Sequence, residues 1–258
     1  MSTQKFNFRS EKILGDLKQG KRPDERKLDE YRKIQVLTNI SQNADGSARV
    51  KLGETDVFCG IKFGVGPPFP DSPSEGTISV MAELLALASP DFEAGPPNED
   101  SVELARVVDR AIREGKCIDF KTLSITDGEL CWVVFVDLYI MNHDGNLFDA
   151  SSIAGLAALR EARFPKLEGK MIVKGEYTKK LKLDSNPLLS TFGKAGATVF
   201  SDPSLEEEKA MAARLSVGVT EDEVCAMQKG GSGSFSADEV NSAIDMAFKN
   251  SKVIRKML

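Results

Sequence analysis

Apolar residues recur along this chain with two periods, every second position in some stretches and every third or fourth in others, and Gly, Pro, Asn and Asp separate them. Residues 47–52 and 55–62 read as strands flanking Gly53-Glu54, and glycine first in a two-residue loop is the signature of a type II′ hairpin. A Pro-rich loop at 66–73 precedes Ile78, Val80, Ala82, Leu84 and Ala86, whose alternation predicts a strand buried on one face. Pro90, Pro96 and Pro97 then exclude regular structure. Over residues 103–113 the period lengthens: Leu104, Val108 and Ala111 share one face of a helix. Asp100 with Glu103 offers that helix a capping box, and Gly115 a C′ stop.

Residues 123–125, a turn at Asp127-Gly128 and the apolar run 131–140 predict a second pair of strands, with Trp132 in the core. The small-residue segment 150–159 reads as a buried helix. Residues 188–192, 197–200, 215–219 and 224–228 are further strand candidates, followed by a flexible glycine loop at 230–233. Ser236 with Glu239 caps a closing helix that runs towards Leu258. Residues 1–21 carry Phe6, Phe8, Ile13, Leu14 and Leu17 among charges, which suits a short helix ending near Gly20 and laid on this chain or on a partner. The lysine-rich stretch 164–182 reads as a solvated, variable loop. The order ββ(β)α ββα βββ(β)α is an α+β pattern, helices on mixed and antiparallel sheets, and its two halves share a meander-then-helix rhythm.

With 258 residues, 41% hydrophobic and 28% charged, the chain can bury a sizeable core as one large or two small globular units. A net charge of −5 means that the surface as a whole does not attract nucleic acid, so any polyanion site must be a local basic patch. Cys59, Cys117, Cys131 and Cys225 show no CxxC spacing, and there is no signal peptide or long apolar run, which predicts a soluble, reducing, cytoplasmic setting without a membrane. His143, the single histidine, lies in Asn142-His143-Asp144-Gly145, a hairpin-turn sequence. No Ser-His-Asp or Cys-His mechanism is available without it, and no zinc site or cofactor is expected.

The most informative polar pattern is on the 103–113 helix, where Arg106, Arg110 and Arg113 stand opposite the apolar face with no lysine among them. An arginine fork grips phosphate oxygens bidentately, so such a row can follow an RNA or DNA backbone. Glu103, Asp109 and Glu114 are interleaved with it, placed for i,i+3 or i,i+4 pairs on a solvated face. Spacing alone leaves both readings open.

Several segments in order resemble the RNase PH family: Arg22-Pro23-Asp24-Glu25-Arg26, where the family favours R-x-D-G-R; Ala44-Asp45-Gly46-Ser47 with Leu52-Gly53-Glu54-Thr55; Glu93-Ala94-Gly95-Pro96-Pro97; and Glu103-Leu104-Ala105-Arg106-Val107-Val108-Asp109-Arg110. The last two, with residues 132–137 and Asp144-Gly145-Asn146, look like the non-catalytic subunits of the archaeal RNA exosome ring. The resemblance covers nearly the whole chain. It implies an RNase PH-like fold over 22–258, with duplicated ββαβα-type halves at about 22–163 and 184–258, after a helical extension at 1–21.

Active members of that family degrade RNA from the 3′ end by phosphorolysis, and a D-G-G-T-R-T segment holds the phosphate. The matching positions here are Asp149-Ala150-Ser151-Ser152-Ile153-Ala154, so the arginine is Ile153 and the second threonine Ala154, while Ser152 keeps one hydroxyl. Losing a central electrostatic group costs on the order of 10² to 10³ in rate. Active members also carry two aspartates six residues apart; the counterparts are Asp202 and Glu208, which with Glu206 and Glu207 read as ordinary surface acids. The resemblance therefore implies a subunit with no catalytic residue and no metal, which alternates with a catalytic sister in a six-membered ring of three heterodimers. Its partners would be that sister, RNA-binding cap proteins and single-stranded RNA, and its RNA contacts Arg106 and Arg110, with Arg113 on the same face. The alternatives are a self-sufficient phosphate-dependent 3′-to-5′ exoribonuclease using Lys194 or Arg160, and a scaffold whose arginines only pair with acids.

Overall fold

The computed structural model describes residues 2–258, with side chains from residue 10 onward. It opens with helix α1 (Ser2–Lys18) and ends that helix before Gly20, whose φ of +75° a side chain would oppose. Ile13 and Leu17 bury themselves against Ala195 and Phe200, so α1 is laid on this chain. Phe6 and Phe8 lie outside the described side chains.

The first sheet takes β1 (Ile34–Thr38), β2 (Gly46–Leu52), β3 (Thr55–Gly66), β4 (Thr77–Leu84), β5 (Ser124–Thr126) and β6 (Leu130–Asn142), in the spatial order β1-β2-β3-β6-β4 with β5 on β6. Gly53 at φ +59° makes the expected turn between Leu52 and Thr55. The sheet is mixed because β4 runs parallel to β6. Along β6, Trp132, Val134, Val136, Leu138 and Ile140 point inward, while Phe135 and Tyr139 point out.

That inner face is covered by α3 (Leu147–Glu161), in which every residue from Phe148 to Leu159 is buried. Its alanines let it approach very closely: a Cβ on Gly46 would stand 2.6 Å from the carbonyl oxygen of Ala158. Behind α3 lies an antiparallel sheet of β9 (Leu188–Ala195), β10 (Thr198–Ser201), β11 (Ala213–Val219) and β12 (Val224–Gly231), in the order β10-β9-β11-β12. Helix α5 (Ala237–Ile254), held by the Ser236/Glu239 capping box, packs Ala243 and Ala247 on that sheet's Phe192, Leu215 and Val217. Helix α2 (Glu99–Glu114) lies over β4, α3 and β12.

Several sequence expectations are corrected. The α2 N-cap is Asn98, whose side chain accepts from Ser101 N, so Asp100 sits in the first turn and forms no box with Glu103. Gly115 is right-handed at φ −72°, the left-handed turn falling on Lys116; glycine is needed at 115 because a Cβ would meet the Ala111 carbonyl at 2.5 Å. The 164–182 stretch is a two-stranded ribbon, β7 (Arg163–Glu168) and β8 (Met171–Lys180), with Phe164, Leu167 and Ile172 seated on the core. Gly230 and Gly231 belong to β12, opposite Arg214 and Ala213. His143 turns the chain from β6 into α3 and closes no hairpin. The acidic run before Met211 forms a short helix, α4 (Leu205–Ala210), with its own capping box at Ser204 and Glu207.

Candidate nucleic-acid interface

Leu104, Ala105, Val107, Val108, Ala111 and Ile112 fix α2 to the body and turn its arginines outward. The structure gives the three guanidinium groups different situations. Arg106 is exposed, with no hydrogen bond or ion pair among the described residues. Arg110 donates from Nη1 to Gln228 Oε1 at 3.3 Å. Arg113 is tied to Asp109 through Nε at 3.1 Å and Nη2 at 2.9 Å, donates to the Ile78 carbonyl at 3.1 Å and lies over Phe120. Of the pairings offered by spacing, only Asp109–Arg113 forms within the helix. Glu103 turns to Arg214 on β11, at 2.7 Å.

The segment matched to the phosphate loop is interior. Asn146, left-handed at φ 54°, caps α3, and Ile153 and Ala154 have no exposure at all. Ser152 Oγ accepts from Leu189 N at 3.0 Å, and Ser151 Oγ is buried without a partner. The Asp149 carboxylate accepts from Tyr31 Oη at 2.6 Å, Asn146 Nδ2 at 2.9 Å, Thr191 N at 3.0 Å and Thr191 Oγ1 at 2.7 Å. Burial pushes its pKa up to about 6 even against these hydrogen bonds. Lys194 and Arg160 are engaged elsewhere, with Glu239 at 2.6 Å and Asn186 at 3.2 Å.

The acids read as surface groups are the largest correction. Asp202, in the left-handed region at φ 48°, is fully buried. Its carboxylate accepts from Arg32 N at 2.8 Å, Arg32 Nη2 at 2.8 Å, Arg26 Nη1 at 2.8 Å and Asn146 Nδ2 at 2.7 Å. Burial acts to raise its pKa and is outweighed by Arg32 and Arg26, which hold it below the usual value. Glu207 is equally buried and takes Arg22 bidentately, at 2.8 and 2.6 Å. Glu208 Oε1 accepts from Asn146 N at 2.9 Å, and burial raises its pKa to about 7. Sequence gave no local sign of this, because the arginines lie some 170 to 185 positions earlier. The one available hint is that residues 22, 26 and 32 are arginine, the cation suited to buried bidentate pairs.

Where α2, α3 and α4 meet, a cavity of about 200 Å³ is lined by Asp100, Glu103, Glu208, His143, Phe148 and Arg214. Burial lowers the His143 pKa to about 4, its ring stacks on Phe92 at 5.3 Å, and Arg214 is already paired with Glu103. With three carboxylates and no free cation in its lining, the cavity opposes phosphate. No group of His, Cys, Asp and Glu among the described residues is placed to hold a metal ion, and none of the described helices is long and apolar enough to cross a membrane.

An α+β body of a mixed and an antiparallel sheet around a buried helix, with arginines on one outer helix, describes a known class. Family models for the "3′ exoribonuclease family", domains 1 and 2, match residues 30–165 and 186–250. The chain belongs to this family, the RNase PH family, and has the RNase PH-like fold. It is similar to "Exosome complex component Rrp42" of Methanopyrus kandleri, 46% identical over 95% of this chain and 93% of that protein. The protein of the same name from Methanothermobacter thermautotrophicus is 47% identical over 92% of this chain and 89% of its own length. Among solved structures, a chain of the Archaeoglobus fulgidus exosome with RNA bound to the active site superposes with a TM-score of 0.91 at 39% identity, covering 97% of this chain and 98% of that one. A chain of an archaeal exosome core gives 0.87 at 36% identity, over 98% and 97%.

Proposed function

We propose that this chain is a non-catalytic, RNA-binding subunit of an archaeal exosome ring, alternating with a catalytic RNase PH-like partner and completing that partner's RNA cleft. The observation that carries this reading is the division of labour between two helices. On α3 the position matched to the phosphate arginine is Ile153, without exposure, and nearby Asp202 and Glu207 are buried in ion pairs with Arg32 and Arg22. On α2, Arg106 is exposed and unpaired among the described residues, and Arg110 is held by a neutral amide. The similarity to Rrp42 proteins and to exosome chains supports the assembly. Contacts from Arg106 and Arg110 would go to phosphates, so they position single-stranded RNA without reading its sequence, as a path for any 3′ end requires. Arg113, committed to Asp109, is the weakest contributor of the three. RNA-binding cap proteins would complete the assembly.

The test is phosphate-dependent release of nucleoside diphosphates from poly(A) by the isolated chain, by the catalytic partner alone and by the two assembled. The expected result is no turnover by the isolated chain and higher activity in the mixed ring than in the partner alone. Robust turnover by the isolated chain would overturn the proposal.

A further inference from the structure

Arg110 stands at the end of a relay of side chains that begins on α3. Arg214 of β11 lies over the Phe148 ring, 4.1 Å from its centroid, and crosses Gly230, where a Cβ would fall 2.9 Å from Nη2. Its Nη2 donates to Glu103 Oε1 at 2.7 Å. The same oxygen accepts from Gln228 Nε2 at 3.4 Å, and Gln228 Oε1 accepts from Arg110 Nη1 at 3.3 Å. The direction of the relay is fixed by chemistry: a guanidinium only donates and an ionised carboxylate only accepts, so the amide between them has one satisfying orientation.

Building on the RNA-binding reading above, we propose that Gln228, oriented by Glu103 and Arg214, is a positioning residue that aims Arg110 at the RNA backbone without cancelling its charge. The neighbouring arginines show what the amide contributes. Arg113 is held by a carboxylate, which orders it and offsets its charge. Arg106 keeps its charge but has no described partner to order it. Arg110 alone is both held and uncompensated, because the carboxylate of Glu103 is taken by Arg214 and stands one side chain away. Only one of Arg110's five N–H donors goes to the amide, which leaves the others for a phosphate. Ordering a long side chain before binding removes part of the entropy cost of contact.

The experiment is a double-mutant cycle on single-stranded oligo(A) binding, measured over a range of salt with this chain assembled with its catalytic partner, ring integrity being followed by mass. Arg110→Ala is expected to weaken binding and to reduce the slope of log K against log salt by roughly 0.7, the share of one phosphate contact on a single strand. Gln228→Ala is expected to weaken binding roughly 2- to 12-fold with the slope retained, since the charge stays and only its placement is lost. In the Arg110→Ala background the same change is expected to do nothing further. Gln228→Glu, which turns the holder into a counter-ion, is expected to lower the slope as Arg110→Ala does. A Gln228→Ala effect of the same size with and without Arg110, or no effect at all, would overturn the positioning role and leave the RNA-binding helix standing. If Arg110→Ala itself changes neither affinity nor slope, both readings fall.

Discussion

Replacing Glu207 with alanine removes the counter-ion of Arg22 at a place where neither side chain has any solvent exposure. Two short hydrogen bonds, at 2.8 and 2.6 Å, go with it, and Arg22 keeps only carbonyl acceptors such as Ser201 and Asp202, at 2.8 Å each. Breaking one side of a buried pair costs about 3–5 kcal/mol, because the remaining charge is left desolvated. Glu207 also accepts from Ser204 N at 2.8 Å, so α4 loses half of its capping box, about 1 kcal/mol more. The sum, about 4–6 kcal/mol, is a large part of the roughly 5–15 kcal/mol that holds a domain folded. Glu207→Gln keeps the shape, the cap acceptor and one acceptor for Arg22 but not the counter-charge, so its cost is about 3–5 kcal/mol without the cap contribution. Equilibrium denaturation in urea, with the slope checked for each variant, measures both. If alanine and glutamine each cost less than about 1 kcal/mol, the pair is not desolvated and the Arg22–Glu207 ion pair is not what joins α4 to the N-terminal arginines.

Glu208→Gln gives a pH-dependent result. The folded pKa of about 7 lies above the ordinary 4.5, so the contribution of Glu208 is fully present below pH 4.5 and is lost as pH rises through 7. The variant is therefore expected to match wild type near pH 4.5 and to exceed it at pH 8 by on the order of 1–3 kcal/mol; an equal gap in urea melts at both pH values contradicts this. Ile153→Arg is expected to restore no phosphorolysis and to destabilise by at least about 3–5 kcal/mol, since it places an unpaired cation in the core; a variant that melts like wild type would show room for a guanidinium there. Arg106→Ala is expected to lower the RNA salt slope by roughly 0.7 with the melting temperature unchanged. Arg113→Ala, which breaks an i,i+4 pair, is expected to cost about 0.3–0.5 kcal/mol of stability with a smaller change of slope, and the reverse ranking would refute the assignment.

Where burial is periodic and the partner surface continuous, sequence was enough: β6, the alanine-rich α3, the Gly53 hairpin and the Ser236 cap are all legible from local pattern. Element ends were less so. Asn98 and Asp100 both carry cap chemistry, and which one serves depends on where packing starts the helix. The edge strand β1 alternates half-buried with exposed residues and gave no apolar run to detect. Helix α4 has six residues, half of them glutamate, a composition that suits a solvated loop until distant arginines supply the counter-charge. The arginine row shows the same limit: its spacing offered Glu103 as a partner, and a residue 111 positions away took it. That Ile153 stands where the resemblance to the family implies an arginine needed no structure to be seen; that the position is sealed did.

Asn146 donates from one amide nitrogen to Asp149 and to Asp202, and from its backbone N–H to Glu208. A single residue thus stitches the entry of α3, which serves the first sheet, to the end of β10 and to α4, which serve the second. Prising the halves apart would take the Asn146 donors from Asp202 and Glu208 and the Thr191 donors from Asp149, so opening the seam is costly. The two sheets are therefore expected to melt together, which coincident urea transitions by two probes would check. The entry of α3 is, in this chain, a weld between its two sheets.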